Sequence, residues 1–217
     1  MNKMKTIIEV GANRGIDTQV MADENPDAIV YSFEPTRELL IEHLWPKFEN
    51  HPRVIILPFA VDITSEFKTF NVSGINDWGC SSLNEFSDNI NSVWKNRKDF
   101  QVTKKYTVPT ISLFDFCNLY KIDCIDFLWI DAQGSDFNCL LSLGDKIKNL
   151  KAGRCEVADQ VELYKNTSNR KNVVKPWLEN QGFKVKQPFD SKQETDLVFS
   201  RENDYTLDEL CASGWCR

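Results

Sequence analysis

The sequence TIIEVGANRG, residues 6–15, joins a short apolar run to a turn that contains two glycines. The β-branched residues of the run are typical of a strand that is buried on both faces of a parallel sheet. Gly11 ends the run, and Gly15 begins a predicted helix that ends before Asn25. Glycine lets the backbone approach a ligand closely, and the start of a helix offers free N–H groups. We therefore predict that Gly11, Asn13 and Gly15 belong to a cofactor-binding turn.

The second predicted strand, residues 28–33, ends at Glu34 and Pro35. In α/β nucleotide-binding folds, an acidic residue at this strand end holds the ribose hydroxyls of an adenosine. A solvated carboxylate is the alternative interpretation when Glu34 is considered alone. The glycine turn, the helix and the acidic strand end occur in the expected order, and together they favour an adenosine site that includes Glu34 and Pro35.

Glu9 is a carboxylate inside an otherwise apolar strand. Such a group is costly to bury unless a cation or a hydrogen-bond donor accompanies it. S-adenosylmethionine carries an ammonium group and no pyrophosphate. Glu9 and the G-x-x-x-G spacing, which lacks the third glycine of the dinucleotide motif, therefore favour S-adenosylmethionine over NAD as the cofactor.

Strands and helices alternate along the rest of the chain, which predicts an α/β fold. Further strands are predicted at 54–57, 125–130, 153–157, 183–185 and 196–199, and two strands outside the regular alternation at 67–72 and 106–108. Helices are predicted at 36–48, 112–120, 136–143 and around 176–179. Pro46 is expected to bend or shorten the first of these helices. The order predicts a mostly parallel sheet with helices on both faces, whose ligands bind at the carboxyl ends of the strands.

More candidate site residues follow the third and later strands. Ala60, Val61 and Asp62 lie where an adenine ring would be flanked, and Asp62 either accepts from the adenine amino group or caps the turn. Asp131 and Glu156 lie at the ends of two later strands, whereas both histidines of the chain are expected elsewhere. If the methyl group of the cofactor is transferred to a hydroxyl, a base must take the proton of that hydroxyl, and we predict that Asp131 is this base and that Glu156 orients the acceptor or shares the proton. A helix N-cap is the alternative role for Asp131.

The length of 217 residues predicts one globular domain, residues 1–201, with an acidic tail of unassigned role, residues 202–217. Residues 73–98 show no hydrophobic period. A polar stretch of this length inside a domain is usually functional or disordered. We predict a lid or an acceptor-binding loop, with a poorly ordered surface loop as the alternative.

The net charge of −6 argues against binding to nucleic acid through phosphates. No apolar run reaches the length of a membrane span and no signal peptide precedes the first strand, so we expect a cytoplasmic protein without a membrane partner. The seven cysteines include no C-x-x-C pair, and no metal site is expected. The composition does not predict the oligomeric state.

Four segments of the chain resemble the FkbM-type methyltransferases: IIEVGANRG, FEP, FLWIDAQGSDFNCL and CEVADQVELY. The resemblance extends over residues 6–200. It implies a Rossmann-like class I methyltransferase fold with a seven-stranded sheet, S-adenosylmethionine as the cofactor, and methyl transfer to hydroxyl oxygens of acceptors such as sugars and polyketide-type products. Many of these sequences have a lysine at the position of Trp129 and a glutamate at that of Gln133, and this chain cannot form that ion pair.

Three functions are therefore compatible with the sequence. The first is an O-methyltransferase that acts on a small-molecule or glycan acceptor. The second is an NAD-binding oxidoreductase, against which the missing glycine and the lack of a placed catalytic His, Cys or Tyr-x-x-x-Lys pair both argue. The third is a binding protein on a methyltransferase scaffold that has lost turnover, a hypothesis suggested by Trp129 and Gln133.

Overall fold

The computed structural model describes residues 5–74, 78–94, 97–189 and 193–201. The strands of these residues are β1 (Thr6–Val10), β2 (Ile29–Phe33), β3 (Val54–Leu57), β4 (Ala60–Val61), β5 (Phe67–Ser73), β6 (Val102–Ile111), β7 (Ile125–Ile130), β8 (Leu150–Ala158), β9 (Lys184–Lys186) and β10 (Glu194–Ser200). The α-helices are α1 (Ile16–Glu24), α2 (Arg37–Leu39), α3 (Trp45–Phe48), α4 (Ile90–Val93), α5 (Leu113–Tyr120), α6 (Asp136–Leu141) and α7 (Lys171–Asn180). A π-helical turn covers Leu40–Leu44, and a 3₁₀-helix covers Gly144–Asn149.

The central sheet has seven strands in the order β3-β2-β1-β7-β8-β10-β9. The five strands from β3 to β8 are parallel, and β10 runs antiparallel to both of its neighbours. This arrangement confirms the predicted Rossmann-like, mostly parallel sheet. Because β1 lies between β2 and β7, the carboxyl ends of these three strands meet at one edge of the sheet.

Helices cover both faces of this sheet, as predicted. On one face, Phe116 of α5, Leu140 of α6 and Leu178 of α7 belong to a continuous apolar core. On the other face, Met21 of α1 and Phe48 of α3 belong to a second core. Every residue of β7 is buried, which is why this strand reads in the sequence as an uninterrupted apolar run apart from one acidic residue near its start.

The helix predicted at 36–48 consists of three pieces, α2, the π-helical turn and α3. The N–H of Trp45 bonds to the carbonyl of Leu40, five residues earlier, which is the spacing of a π-helix. Pro46, the next residue, has no amide hydrogen to donate to the carbonyl of Glu42. The irregular turn therefore lies where the proline was expected to disturb the helix.

A second sheet has three strands in the order β4-β6-β5. The sequence prediction was wrong here, because it placed only a brief strand at 106–108, whereas β6 has ten residues. The first residues of β6, which include Lys104 and Lys105, are exposed and polar, and so they give little hydrophobic signal. This sheet continues from the end of β3 and places β4 beside the carboxyl edge of the central sheet.

The stretch predicted as a lid contains the short helix α4 and two isolated bridges, which pair Ser82 with Asn71 and Phe86 with Tyr164. Residues 75–77 and 95–96 of the stretch lie outside the described residues, as does the tail 202–217. The lid function stays a prediction. In the described part of the chain, no helix has the length and apolar character needed to cross a membrane.

Candidate active site

A cavity opens at the carboxyl ends of β1, β2 and β7, where the sequence predicts the cofactor. Its empty volume, including the open mouth, is about 570 Å³, which lies in the range of small-molecule sites. Most of the predicted cofactor-binding residues are on its wall: Gly11, Asn13, Glu34, Pro35, Ala60, Val61 and Asp131. The predicted site residues that do not line it are Glu9, Gly15, Asp62 and Glu156. This cavity is termed the cofactor pocket.

Glu34 presents a buried carboxylate to the cofactor pocket. Its Oε2 accepts a hydrogen bond of 2.9 Å from the backbone N–H of Asn13, and its Oε1 accepts one of 2.8 Å from that of Thr36. Burial raises the pKa of Glu34, while the hydrogen bonds from Thr36 and Asn13 favour the ionised form. The side chain of Thr36 is a third donor to this carboxylate, and because a carboxylate offers about four lone pairs, one remains that can accept from a ribose hydroxyl. The solvated-carboxylate interpretation of Glu34 is therefore wrong.

Packing explains the glycines at positions 11 and 15, which have φ values of 91° and 70°. A Cβ on Gly11 would lie 2.0 Å from the carbonyl oxygen of Asp131. A Cβ on Gly15 would lie 2.6 Å from the ring of Phe48 and 2.8 Å from Leu44. The first glycine lets β1 lie beside the end of β7, and the second lets α1 begin against the helices that follow β2. Close approach of a ligand is not needed to explain glycine at either position.

Glu9 lies in β1 just before the glycine turn, and only 1% of its surface is exposed. Its Oε2 accepts a hydrogen bond of 2.6 Å from the hydroxyl of Thr18 in α1. Burial raises the pKa of Glu9 to about 7. The donor that a buried carboxylate requires is thus a side chain of the protein, and Glu9 connects β1 to the first helix.

Protein groups also bind the carboxylate of Asp62. Its Oδ2 lies 2.6 Å from Nζ of Lys68. Its Oδ1 accepts hydrogen bonds from the side-chain amide of Asn138 at 3.0 Å and from the backbone N–H of Ile63 at 2.8 Å. Of the two roles left open by the sequence, these contacts favour the capping of the turn over recognition of adenine.

Asp131 follows β7 and lines the cofactor pocket together with Gln133. Its Oδ1 accepts a hydrogen bond of 2.6 Å from Nε2 of Gln133, whose Oε1 lies 2.8 Å from the hydroxyl of Tyr164. Burial raises the pKa of Asp131, and the hydrogen bond from Gln133 and the charge of Arg154 oppose that rise. The alternative role of Asp131 as a helix N-cap is wrong, because α6 begins after a different N-cap, Ser135.

Glu156 lies in β8 and lines a second cavity, not the cofactor pocket. Gln133 lines both cavities, which therefore adjoin at this residue. Burial raises the pKa of Glu156 well above its ordinary value, and the charge of Asp131 adds to the rise. Glu194 of β10 lines the same cavity. The sequence analysis missed Glu194, because its place beside Glu156 depends on the antiparallel pairing of β8 with β10.

Trp129 occupies the position at which the family resemblance leads us to expect a lysine. The indole is buried, and the guanidinium of Arg154 lies 4.1 Å from the centre of its ring. Nη2 of Arg154 also donates a hydrogen bond of 2.7 Å to Asp196. A cation therefore remains close enough to Asp131 to affect its pKa, although it comes from the neighbouring strand.

The cofactor pocket suits S-adenosylmethionine. Phe59, Phe70 and Trp78 place apolar side chains on its wall, and Glu34 places a hydrogen-bond acceptor there. Among the described residues that line the pocket, none is Lys, Arg or His. A cofactor without phosphate groups needs no such cation, and the positively charged sulfonium and ammonium groups are compatible with the carboxylates of Glu34 and Asp131.

Comparison with known proteins agrees with this chemistry. The sequence matches the model of the methyltransferase FkbM domain over residues 9–185. A search of curated proteins finds no match.

Solved structures that are similar to this chain include the following three. One is a chain of a fibrillarin/Nop5p complex, with 13% identity, 93% of this chain and 74% of that chain covered, and a TM-score of 0.49. Another is a precorrin-6y C5,15-methyltransferase from Geobacter metallireducens, with 9% identity and a TM-score of 0.49. The match covers 93% of this chain and 82% of that chain. The third is TrmK from M. capricolum in complex with S-adenosylhomocysteine, with 12% identity, coverage of 97% and 69%, and a TM-score of 0.46.

The family match spans the glycine turn, Glu34, Asp131 and Glu156, and it reaches into β9. It thus includes the whole wall of the cofactor pocket and most of the central sheet, whereas Gln193 and Glu194 of the second cavity lie beyond it. The chain therefore belongs to the FkbM methyltransferase family, whose cofactor is S-adenosylmethionine.

Proposed function

We propose that the protein transfers a methyl group from S-adenosylmethionine to a hydroxyl oxygen of a small-molecule or glycan acceptor. The observation that supports this proposal is the position of Asp131. Its carboxylate lines the cofactor pocket, and Gln133, which binds that carboxylate, also lines the second cavity. A base at this junction can take the proton that a hydroxyl acceptor loses during methylation.

When bound, S-adenosylmethionine supplies an electrophilic methyl group on a positively charged sulfur. The protein holds the acceptor oxygen in line and removes its proton, and positioning contributes much of the rate. Asp131 accepts the proton, and the hydrogen bond from Gln133 orients its carboxylate and favours the ionised form. Glu156, at the adjoining cavity, orients the acceptor or shares the proton.

The sequence also suggested an NAD-dependent oxidoreductase and a binding protein without turnover. Membership of a methyltransferase family removes the support for an NAD-dependent oxidoreductase. A measurement of methyl transfer distinguishes an enzyme from the third hypothesis, a binding protein without turnover. The exclusion of nucleic acid as an acceptor stays a prediction, since it rests on the net charge of −6 alone.

The proposed function is tested with isotopically labelled donor. The protein is incubated with equal amounts of S-adenosylmethionine and its trideuteromethyl form, together with a small-molecule and glycan extract of source cells that lack the gene. We expect products that appear in mass spectra as pairs separated by the mass of three deuterium substitutions. In carbon NMR spectra, their transferred methyl groups should have the chemical shift of an O-methyl ether. Pairs with N-methyl or C-methyl shifts would contradict the hydroxyl acceptor, and labelled RNA in a parallel reaction would contradict the exclusion of nucleic acid.

Replacing Glu34 with glutamine is expected to weaken the binding of S-adenosylhomocysteine by about 1.5–3 kcal/mol, because hydrogen bonds to a charged group are worth about that much. Isothermal titration calorimetry measures the change. Glu38→Gln is the matched control, since Glu38 pairs with Lys104 at 2.5 Å and does not line the pocket. Equal dissociation constants for both folded variants would show that Glu34 does not hold the ribose.

A further inference from the structure

The second cavity has a composition unlike that of the cofactor pocket. Its empty volume, including open solvent, is about 700 Å³. Two carboxylates, Glu156 and Glu194, and two large aromatic side chains, Trp94 and Phe100, belong to its wall. Gln133 joins it to the cofactor pocket. It is termed the acceptor cavity.

The two carboxylates of the acceptor cavity interact with cations of the protein through charge, Glu194 with Arg97 and Glu156 with Arg154. No described side chain or backbone N–H donates a hydrogen bond to either one, and neither forms an ion pair within the described part of the chain. Both are only partly exposed to solvent. Burial raises the pKa of Glu156 well above its ordinary value and that of Glu194 to about 7, and the charge of Asp131 contributes to both shifts. A cation in the cavity would reverse these shifts, because an opposite charge favours the ionised form.

The one arginine on the described wall of the acceptor cavity is bound to a carboxylate. Nε of Arg97 donates to both oxygens of Asp99, at 2.9 and 3.0 Å, and this pairing lowers the pKa of Asp99. The guanidinium also lies 4.7 Å from the ring centre of Phe100. The charge of Arg97 lowers the pKa of Glu194, but the net shift of that pKa is still upward, to about 7, so Arg97 compensates Glu194 only in part.

The aromatic side chains add a second feature that favours a positively charged ligand. The rings of Trp94 and Phe100 are 5.6 Å apart at an angle of 75°. The face of an aromatic ring attracts ammonium groups, and the attraction is strongest where water is excluded. Partly buried carboxylates beside aromatic side chains therefore match an ammonium group better than a neutral polyol.

We propose that the acceptor cavity binds the methyl acceptor and that the acceptor carries a protonated amine, as an amino sugar does, near the hydroxyl that is methylated. The proposal rests on the proposed function, because it assigns the acceptor of that reaction. Glu156 and Glu194 bind the ammonium group, while Asp131 accepts the proton of the hydroxyl. The amine is a recognition group and takes no part in the transfer.

The experiment examines the chemical class of the labelled products. The mass-paired products of the labelled-donor reaction are treated with acetic anhydride in water, which acylates amines. We expect the main products to gain the mass of an acetyl group. Paired products that lack an amine would overturn the inference and leave the proposed methyl transfer intact. If no paired products form although calorimetry shows S-adenosylhomocysteine bound, the proposed function fails, and the inference fails with it.

A substitution in the acceptor cavity tests whether the amine of the acceptor is bound there. Glu194→Gln keeps the size of the side chain and removes its charge, and it is expected to raise the KM of the amine-bearing acceptor by about tenfold or more. Affinity for S-adenosylhomocysteine should not change. Glu162→Gln is the control, because Glu162 pairs with Arg170 outside this cavity. An unchanged KM in the Glu194 variant would overturn the assignment of the cavity.

Discussion

Replacement of Asp131 with asparagine is expected to lower turnover by about two to four powers of ten, the usual contribution of a positioned acid or base. Asparagine keeps the size of the side chain but cannot take a proton from the acceptor. Affinity for S-adenosylhomocysteine should stay close to that of the wild type, because Glu34 and the apolar wall of the pocket are unchanged. Single-turnover methyl transfer, combined with calorimetry, measures both quantities.

The matched control for this variant is Asp126→Asn. Asp126 lies near the amino end of β7, the strand whose carboxyl end Asp131 follows. Asp126 is also buried, and its Oδ2 accepts from the backbone N–H groups of Lys5 and Thr6 at 2.8 and 2.9 Å. Its Oδ1 pairs with Lys151 at 2.7 Å. Loss of that charge should reduce stability and leave the turnover of folded protein unchanged. Wild-type turnover in Asp131→Asn would contradict the role of Asp131 as the base.

The pH dependence of turnover provides a second measurement of the same role. Asp131 must be ionised to accept a proton, and burial raises its pKa. Turnover of the wild type should therefore fall as the pH falls through that raised pKa and the carboxylate becomes protonated. The residual activity of Asp131→Asn should lack this decrease. A decrease of equal size in both proteins would assign it to a different group.

The central strands could be predicted from the sequence because each is a short, nearly continuous apolar run. β1, β2, β3 and β7 are parallel neighbours with helices on both faces, so their residues face apolar surroundings on either side. β6 is different, because most of its first half is exposed and its partner β5 lies about thirty residues earlier in the chain. Local patterns carry little information about such a pairing, and the second sheet was missed for that reason.

Part of the site could be predicted by the same logic. Glu34 and Asp131 directly follow β2 and β7, so a general rule about strand ends is enough to place them on one pocket. Asp62 follows a strand as well, but Lys68 and Asn138 bind its carboxylate. Only the folded structure shows which acidic residue at a strand end has a protein partner.

Other features of the site depend on contacts between distant parts of the chain. The amide of Gln133 is oriented by Asp131 and by Tyr164, which is 31 residues away. Glu194 joins Glu156 through a β-pairing between strands that a helix and another strand separate in sequence. Neither arrangement has a motif, and so the acceptor cavity was not visible in the sequence.

Replacement of Gly11 with alanine is expected to destabilise the fold by about 2–5 kcal/mol. One contribution is the positive φ of 91° at this position, which costs an L-residue about 1–2 kcal/mol. The other is the clash of the new Cβ with the carbonyl oxygen of Asp131, at 2.0 Å, because forcing extra atoms into a packed site costs about 1–3 kcal/mol. The ends of β1 and β7 would have to separate to relieve it.

Gly182→Ala is the control that separates these two contributions. Gly182 has a similar φ of 85°, but its Cβ would lie 3.3 Å from Nη1 of Arg201, a side-chain atom, and would not clash with backbone. Its replacement should cost about 1–2 kcal/mol from the backbone alone. Urea unfolding of both variants measures the difference, and calorimetry with S-adenosylhomocysteine shows its effect on the pocket. If Gly11→Ala were no less stable than Gly182→Ala and yet failed to bind, the missing side chain would serve the ligand and not the contact between β1 and β7.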